Sequence, residues 1–351
     1  MTDERGAGER RDDEREAGER ELTVADALNE ALVEEMERDP EVVLIGEDIR
    51  MPAGVGTVTA GCYERFGGAR VVNAPISEGA IAGFAVGSAL LGARPVVDVQ
   101  IADFVTLMMD QLVNHAAKWR YMSGGQVSVP IVVRCPTFTG VGMAAQHSQS
   151  LEAWFVHTPG LVVAMPATAA DAKGLLKSAI RDDNPVVFFE KRLGYGLTGP
   201  VPAGEHLVPL GQADVKRSGN DATVVTYGGG VFLALQAARR LAREGIEVEV
   251  VDLRTLQPLD LATVAESVGR TRRAVIVHES PVTGGFGAEL ASRIVEACFD
   301  DLATPPHRVG AADAPVPCAL PLERAVLPQV GDVVDAVRAV VGDRAGASAG
   351  G

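Results

Sequence analysis

The chain has 351 residues, of which 47% are hydrophobic, more length and apolar content than one ordinary core needs and enough for two domains. A formal net charge of -15 repels phosphate backbones and anionic bilayers, which excludes nucleic acid and membrane surfaces as partners and leaves small molecules and proteins. Four scattered cysteines without a C-x-x-C pair exclude a zinc knuckle and a disulfide framework, fit a reducing compartment and point to a cytoplasmic location.

Residues 1–21 are almost wholly Arg, Glu, Asp and Gly and read as a charged, disordered tail, with no apolar signal core and too many acids for a transit peptide. Apolar residues at helical spacing (Ala27, Leu28, Ala31, Leu32, Met36) predict a helix over 23–38. It feeds a short strand, 42–45, that ends at Gly46-Glu47-Asp48. After a glycine-rich loop at 51–61 come a strand at 70–72, the segment Pro75-Ile76-Ser77-Glu78, and a helix of small residues. The small-apolar run 79–93 is broken by glycine and too short to cross a bilayer. A strand at 95–99, a helix over 104–121 and a strand at 129–134 complete the first half of the pattern.

Gly, Pro and Thr dominate 193–211, which reads as a linker, placed at 196–211. Beyond it the alternation restarts: strand 223–226, helix 231–243, strand 248–251, helix 260–268, strand 274–277, helix 287–298. Strands alternating with helices predict an α/β fold with mostly parallel sheets covered on both faces. The domains expected are 22–195 and a smaller one at 212–342, before a frayed low-complexity end at 343–351.

Several residues invite a chemical reading. Glu78 opens a helix directly after a strand, where it is either a partly buried functional carboxylate or a first-turn acid that complements the helix dipole. Gly79, Gly83 and Gly87 share one helical face and let a second backbone approach, at a subunit interface or within the core. His147 sits in a glycine-containing loop after the 129–134 strand, at the end of a parallel strand where such folds bind ligands, and a structural histidine is the alternative. Tyr227-Gly228-Gly229-Gly230 lacks both the dinucleotide fingerprint and a P-loop lysine and reads as a tight strand-to-helix turn, against a NAD-linked dehydrogenase. A packing or docking role is expected for His278-Glu279-Ser280 and for the glycines of 283–287.

Three segments taken in order, Pro75-Ile-Ser-Glu-Gly, Ala144-Ala-Gln-His-Ser-Gln-Ser and the run from Asp171 to Pro185, resemble the beta subunits of pyruvate, branched-chain 2-oxo acid and acetoin dehydrogenase complexes. Leu253-Arg-Thr-Leu-Gln-Pro-Leu-Asp and the run from His278 to Gly287 match the same family, so the resemblance extends over about 22–341. It implies a pyrimidine-binding thiamin diphosphate domain followed by a transketolase C-terminal domain, assembled with an alpha subunit as an alpha2-beta2 heterotetramer. The cofactor would lie between subunits, and the second domain would dock a lipoyl acyltransferase.

In that arrangement Glu78 matches the glutamate that hydrogen-bonds N1′ of the aminopyrimidine and favours its imino tautomer. Phe104 matches an aromatic packed on that ring. His147 matches a histidine at the active-site entrance, where it would orient the substrate carboxylate or assist acyl transfer to lipoyl. Glu47 is a further cofactor-side candidate, as part of an acidic chain connecting two sites. The resemblance also implies a potassium ion held mostly by backbone carbonyls at Ile131, Ala179, Asp182 and Asn184. The Gly-Asp-Gly and downstream Asn that hold magnesium and the diphosphate are missing from the sequence, so the alpha subunit is expected to supply them.

Different segments point to different substrates. Gly79 stands where methionine is frequent, 100–103 is closer to branched-chain or acetoin members, and 144–147 is closer to pyruvate or acetoin members. The reading is a subunit acting on pyruvate or a branched-chain 2-oxo acid. Its alternatives are an acetoin dehydrogenase beta subunit and a mainly structural subunit that docks the acyltransferase.

Overall fold

The computed structural model describes residues 18–50 and 57–342. The strands, in chain order, are β1 Glu19–Thr23, β2 Val42–Gly46, β3 Val71–Asn73, β4 Arg94–Asp98, β5 Val132–Thr137, β6 Val162–Ala164, β7 Val186–Lys191, β8 Thr198–Pro202, β9 Asp214–Arg217, β10 Ala222–Thr226, β11 Val248–Asp252, β12 Thr255–Gln257, β13 Ala274–Pro281 and β14 His307–Ala311. They form a seven-stranded sheet of order β12-β6-β7-β5-β4-β2-β3 and a five-stranded sheet of order β14-β13-β10-β11-β9, with β1 and β8 paired apart. Both large sheets are parallel except at one edge, where β12 and β9 run antiparallel to their neighbours. The parallel α/β expectation is borne out, because runs such as Val42-Val-Leu-Ile and Val96-Val97 carry apolar side chains on both faces.

Some boundaries differ from the sequence pattern for identifiable reasons. Pro130 has no N–H to give a ladder, and pairing of β5 begins only at Val132 and runs on to Thr137. The helix predicted over 104–121 is three helical geometries in succession: a 3₁₀ stretch Ala102–Met108, a π stretch Asp110–Ala116 and an α turn Ala117–Met122. Glu19 to Glu21, read as tail, belong to β1, which pairs with β8 from the stretch read as linker. The remainder of the charged tail, residues 1–17, and the low-complexity end at 343–351 lie outside the described residues.

The two sheets share one apolar core. Phe155, Val163 and Met165 from the first half pack in the same cluster as Tyr227, Leu253, Leu256 and Phe286 from the second. At that junction the glycine turn after Tyr227 shows its purpose. A Cβ on Gly228 would strike Met165, one on Gly229 the Glu279 carboxylate, and one on Gly230 the Thr226 hydroxyl. The three glycines are therefore close-packing positions, and the Glu279 carboxylate that lies against Gly229 is paired with Lys191 at 2.5 Å. The His278 ring is packed in the same manner, since a Cβ on Gly285, Gly287 or Gly310 would collide with it. Burial lowers its pKa to about 4, so the ring is held neutral, with Nδ1 2.8 Å from Ser280 Oγ.

Candidate functional site

In the first sheet β2 leads to β3 on one side and β4 leads to β5 on the other, so the chain changes direction between two adjacent strands. The crevice beyond the carboxyl ends of such a pair is where open parallel sheets bind ligands. Gly46 ends β2 directly opposite Asp98, and a Cβ there would meet the Asp98 carbonyl, which accounts for the glycine. Glu47 follows at once and is buried. Across the crevice Gln100, with φ +65°, turns back and donates from Nε2 to the Glu47 carbonyl at 2.7 Å.

Glu78 arrives from the next crossover as the first residue of the helix Glu78–Leu90 and is also buried. Burial first, then the charges of Glu78, Asp48 and Asp98, push the Glu47 carboxyl above its ordinary range. Glu47 Oε2 and Gln100 Oε1 are both buried without a partner. The crevice therefore holds more acceptors than donors, an arrangement that suits a ligand bearing N–H groups.

An arginine inside an apolar strand fixes the floor. Arg134 is 1% exposed and spans three strands. Its Nη1 donates to Asp98 at 2.6 Å, and its Nε and Nη2 donate to the two Glu190 oxygens at 2.8 Å each. Burial opposes its charge, but Glu190 and Asp98 outweigh that and hold the guanidinium firmly protonated. Asp98 in turn accepts the Gln100 N–H at 3.0 Å, so the ion pair reaches the crevice through one residue. Sequence alone does not single out these three charges, although an arginine between Val133 and Cys135 is the kind of buried charge that needs partners.

Phe104 and His147 come together. Their rings meet edge to face with centroids 5.3 Å apart, Phe104 in the 3₁₀ stretch and His147 in the loop after β5. Neighbouring residues lock this contact: Gln149 donates from its backbone and from Nε2 to the Asp103 carboxylate, the latter at 2.8 Å. Burial raises the Asp103 carboxyl, against the pull of the Gln149 donors and His147. The 3₁₀ stretch packs on the Glu78–Leu90 helix, and a Cβ on Gly79 would approach the Leu107 carbonyl. Gly79 is thus an internal contact, whereas the same face further along, at Gly87, is open. Ile76 just before this helix, Phe84 within it and Leu107 in the 3₁₀ stretch packed on it are exposed, at 80%, 54% and 58%.

The residues considered for a cation are gathered elsewhere, at the opposite ends of the strands. The Ile131 carbonyl accepts from Val186 N at 2.9 Å, Asp182 Oδ1 accepts from Asn184 N at 2.7 Å, and the Ala179 carbonyl accepts from Asp182 N at 3.3 Å. Arg94 donates to the Asp182 carbonyl at 2.6 Å and to the Ile180 carbonyl at 2.9 Å, and so already covers part of this helix end. Among the described residues no group of three acidic, histidine or cysteine side chains could hold a metal ion.

Residues 20–197 match the family described as transketolase, pyrimidine binding domain, and residues 211–333 match transketolase, C-terminal domain. The pyruvate dehydrogenase E1 component subunit beta of Rhizobium meliloti is 46% identical over 91% of this chain and 70% of its own length. The 2-oxoisovalerate dehydrogenase subunit beta of Bacillus subtilis is 47% identical over 86% of this chain and 93% of its own. A solved structure described as a split-gene transketolase, inactive beta4 tetramer, is similar at TM-score 0.74 and 25% identity, covering 91% of this chain and 98% of that one.

Proposed function

The chain belongs to the transketolase-like beta subunits of 2-oxo acid dehydrogenases, and from that membership we propose that it builds half of a thiamin diphosphate site on pyruvate or a branched-chain 2-oxo acid. The observation that carries the proposal is the acceptor-rich crevice of Glu47, Glu78 and Gln100 at the point where the sheet changes direction. When bound, thiamin diphosphate supplies the carbanion chemistry by which a 2-oxo acid loses carbon dioxide.

In this reading Glu78 would hydrogen-bond N1′ of the aminopyrimidine and hold a proton at that atom, favouring the imino tautomer. Glu47 carries a carboxyl whose hold on its proton is strengthened by burial and neighbouring charge, a property that suits passing one along the crevice. Phe104 supplies an apolar wall for the ring, and His147 at its edge orients the substrate carboxylate or assists transfer to lipoyl. Magnesium and the diphosphate fall to the alpha subunit.

The exposed apolar side chains Ile76, Phe84 and Leu107, together with the open helix face at Gly87, support a partner on this side of the crevice, in an alpha2-beta2 heterotetramer. Docking of the lipoyl acyltransferase is assigned to the second domain, and the location to the cytoplasm. Among the described residues no helix is long and apolar enough to cross a membrane.

The chain alone is expected to turn over nothing. Mixed with its alpha subunit, magnesium and thiamin diphosphate, it should release carbon dioxide from pyruvate or 3-methyl-2-oxobutanoate, with acetaldehyde from acetoin followed in parallel. Activity of the isolated chain would refute the shared site. A stable, cofactor-binding assembly that acts on none of the three would point instead to a mainly structural subunit.

A potassium ion is assigned, on the family resemblance, to the carbonyls of Ile131 and Ala179 with Asp182 and Asn184, and each of the two carbonyl oxygens keeps a second lone pair for it beyond the bond it already accepts. Replacing potassium by tetramethylammonium should lower the melting temperature. An unchanged value would remove this assignment.

A further inference from the structure

The loop that carries His147 is held by the second domain through one buried carboxylate. Glu323, in the short helix Leu320–Val326, is 1% exposed. Its Oε1 accepts the Gly140 N–H at 2.8 Å and its Oε2 the Gly142 N–H at 2.9 Å, so both oxygens are committed to one bend of the loop. Gly140 and Gly142 have φ of +92° and +75°, and a Cβ on Gly142 would press on the Cys318 carbonyl and the Leu320 side chain. Cys318 Sγ adds a contact of 3.2 Å to the Gly142 carbonyl.

Between this clamp and His147 the chain has little slack. Ala144 is held at φ +66°, unusual for a residue with a side chain, and its carbonyl accepts the His147 N–H at 3.2 Å. On the far side, Gln149 is tied to Asp103 beside Phe104. His147 is thus strung between two anchors, one in each domain. Without the Glu323 carboxylate, the two partly buried backbone donors would lose the one acceptor they share, and the bend would be free to open.

We propose that Glu323 is a positioning residue for His147: the second domain sets the place of the imidazole against Phe104 through the Gly140–Gly142 bend. The proposal rests on the reading of His147 as a functional group for its kinetic consequence, and on geometry alone for the placement. It also gives the domain assigned to docking a direct mechanical hold on the site entrance.

The test uses the chain assembled with its alpha subunit, with histidines labelled at 13Cε1 and the His147 resonance identified by its loss in His147→Ala. In Glu323→Gln one acceptor becomes an N–H donor facing a backbone N–H, and Glu323→Asp reaches only one of the two donors. Both should shift or broaden the His147 resonance and leave the other histidines in place, and an unmoved resonance overturns the proposal whether or not the assembly is active. In the kinetic arm, Glu323→Gln should lower kcat/KM about tenfold, the size of one hydrogen bond to a charged group. Placed in the His147→Ala background it should lower it no further. An equal loss in both backgrounds would mean a general structural role and would overturn the coupling. If the wild-type assembly releases no carbon dioxide at all, the proposed function fails while the resonance still decides the placement.

Discussion

Replacing Glu78 by glutamine is expected to lower carbon dioxide release by the assembled enzyme at least about a hundredfold, the lower range for losing a positioned acid or base. Glutamine keeps the length and shape of the side chain but cannot take up or give a proton at N1′. Folding should survive, because Glu78 is the first residue of its helix and its removal relieves repulsion in the crevice. Glu47 is raised partly by the Glu78 charge, so its carboxyl should return toward its ordinary range in the variant. Assembly with the alpha subunit and the melting temperature would be measured beside turnover. Activity within about threefold of wild type, in a fully assembled variant, would show that Glu78 is only a helix-terminal acid.

The largest stability effect is expected at Arg134. Changing it to methionine fills roughly the same volume but leaves Asp98 and Glu190 buried without a cation, and breaking a buried pair in this way costs about 3–5 kcal/mol. The urea midpoint of the variant should fall accordingly. Arg134→Lys should land between the two, since a single ammonium cannot meet both Glu190 oxygens and Asp98 at once.

Activity should suffer in both variants beyond the loss of folded protein, because Asp98 holds the Gln100 backbone and Gln100 holds Glu47. A midpoint unchanged in Arg134→Met would mean that the two carboxylates simply take up protons at little cost. Carrying Asp98→Asn and Glu190→Gln along with Arg134→Met separates these cases: it should recover part of the loss if stranded charge is the cause.

Local chemistry wrote much of this protein into its sequence. Alternating apolar runs and helical spacing determined two parallel α/β sheets, since each run buries whichever element it forms. Glu78 and His147 are legible as candidates because each sits in a short recognisable segment, Phe104 only through the family resemblance, and the glycines after Tyr227 are legible as a turn because they lack the residues a phosphate needs.

What no window of sequence contained was the pairing between windows. Arg134 finds Glu190 across 56 positions and Glu323 finds Gly140 across 183, so neither partner is visible from the other's neighbourhood. The same holds for β12, which follows the expected linker yet closes the edge of the first sheet, and for the bend that ties His147 to both domains. Periodicity and propensity act over a few residues and decide which elements form; burying charge and satisfying backbone donors act through space, and only the packed chain decides which groups meet.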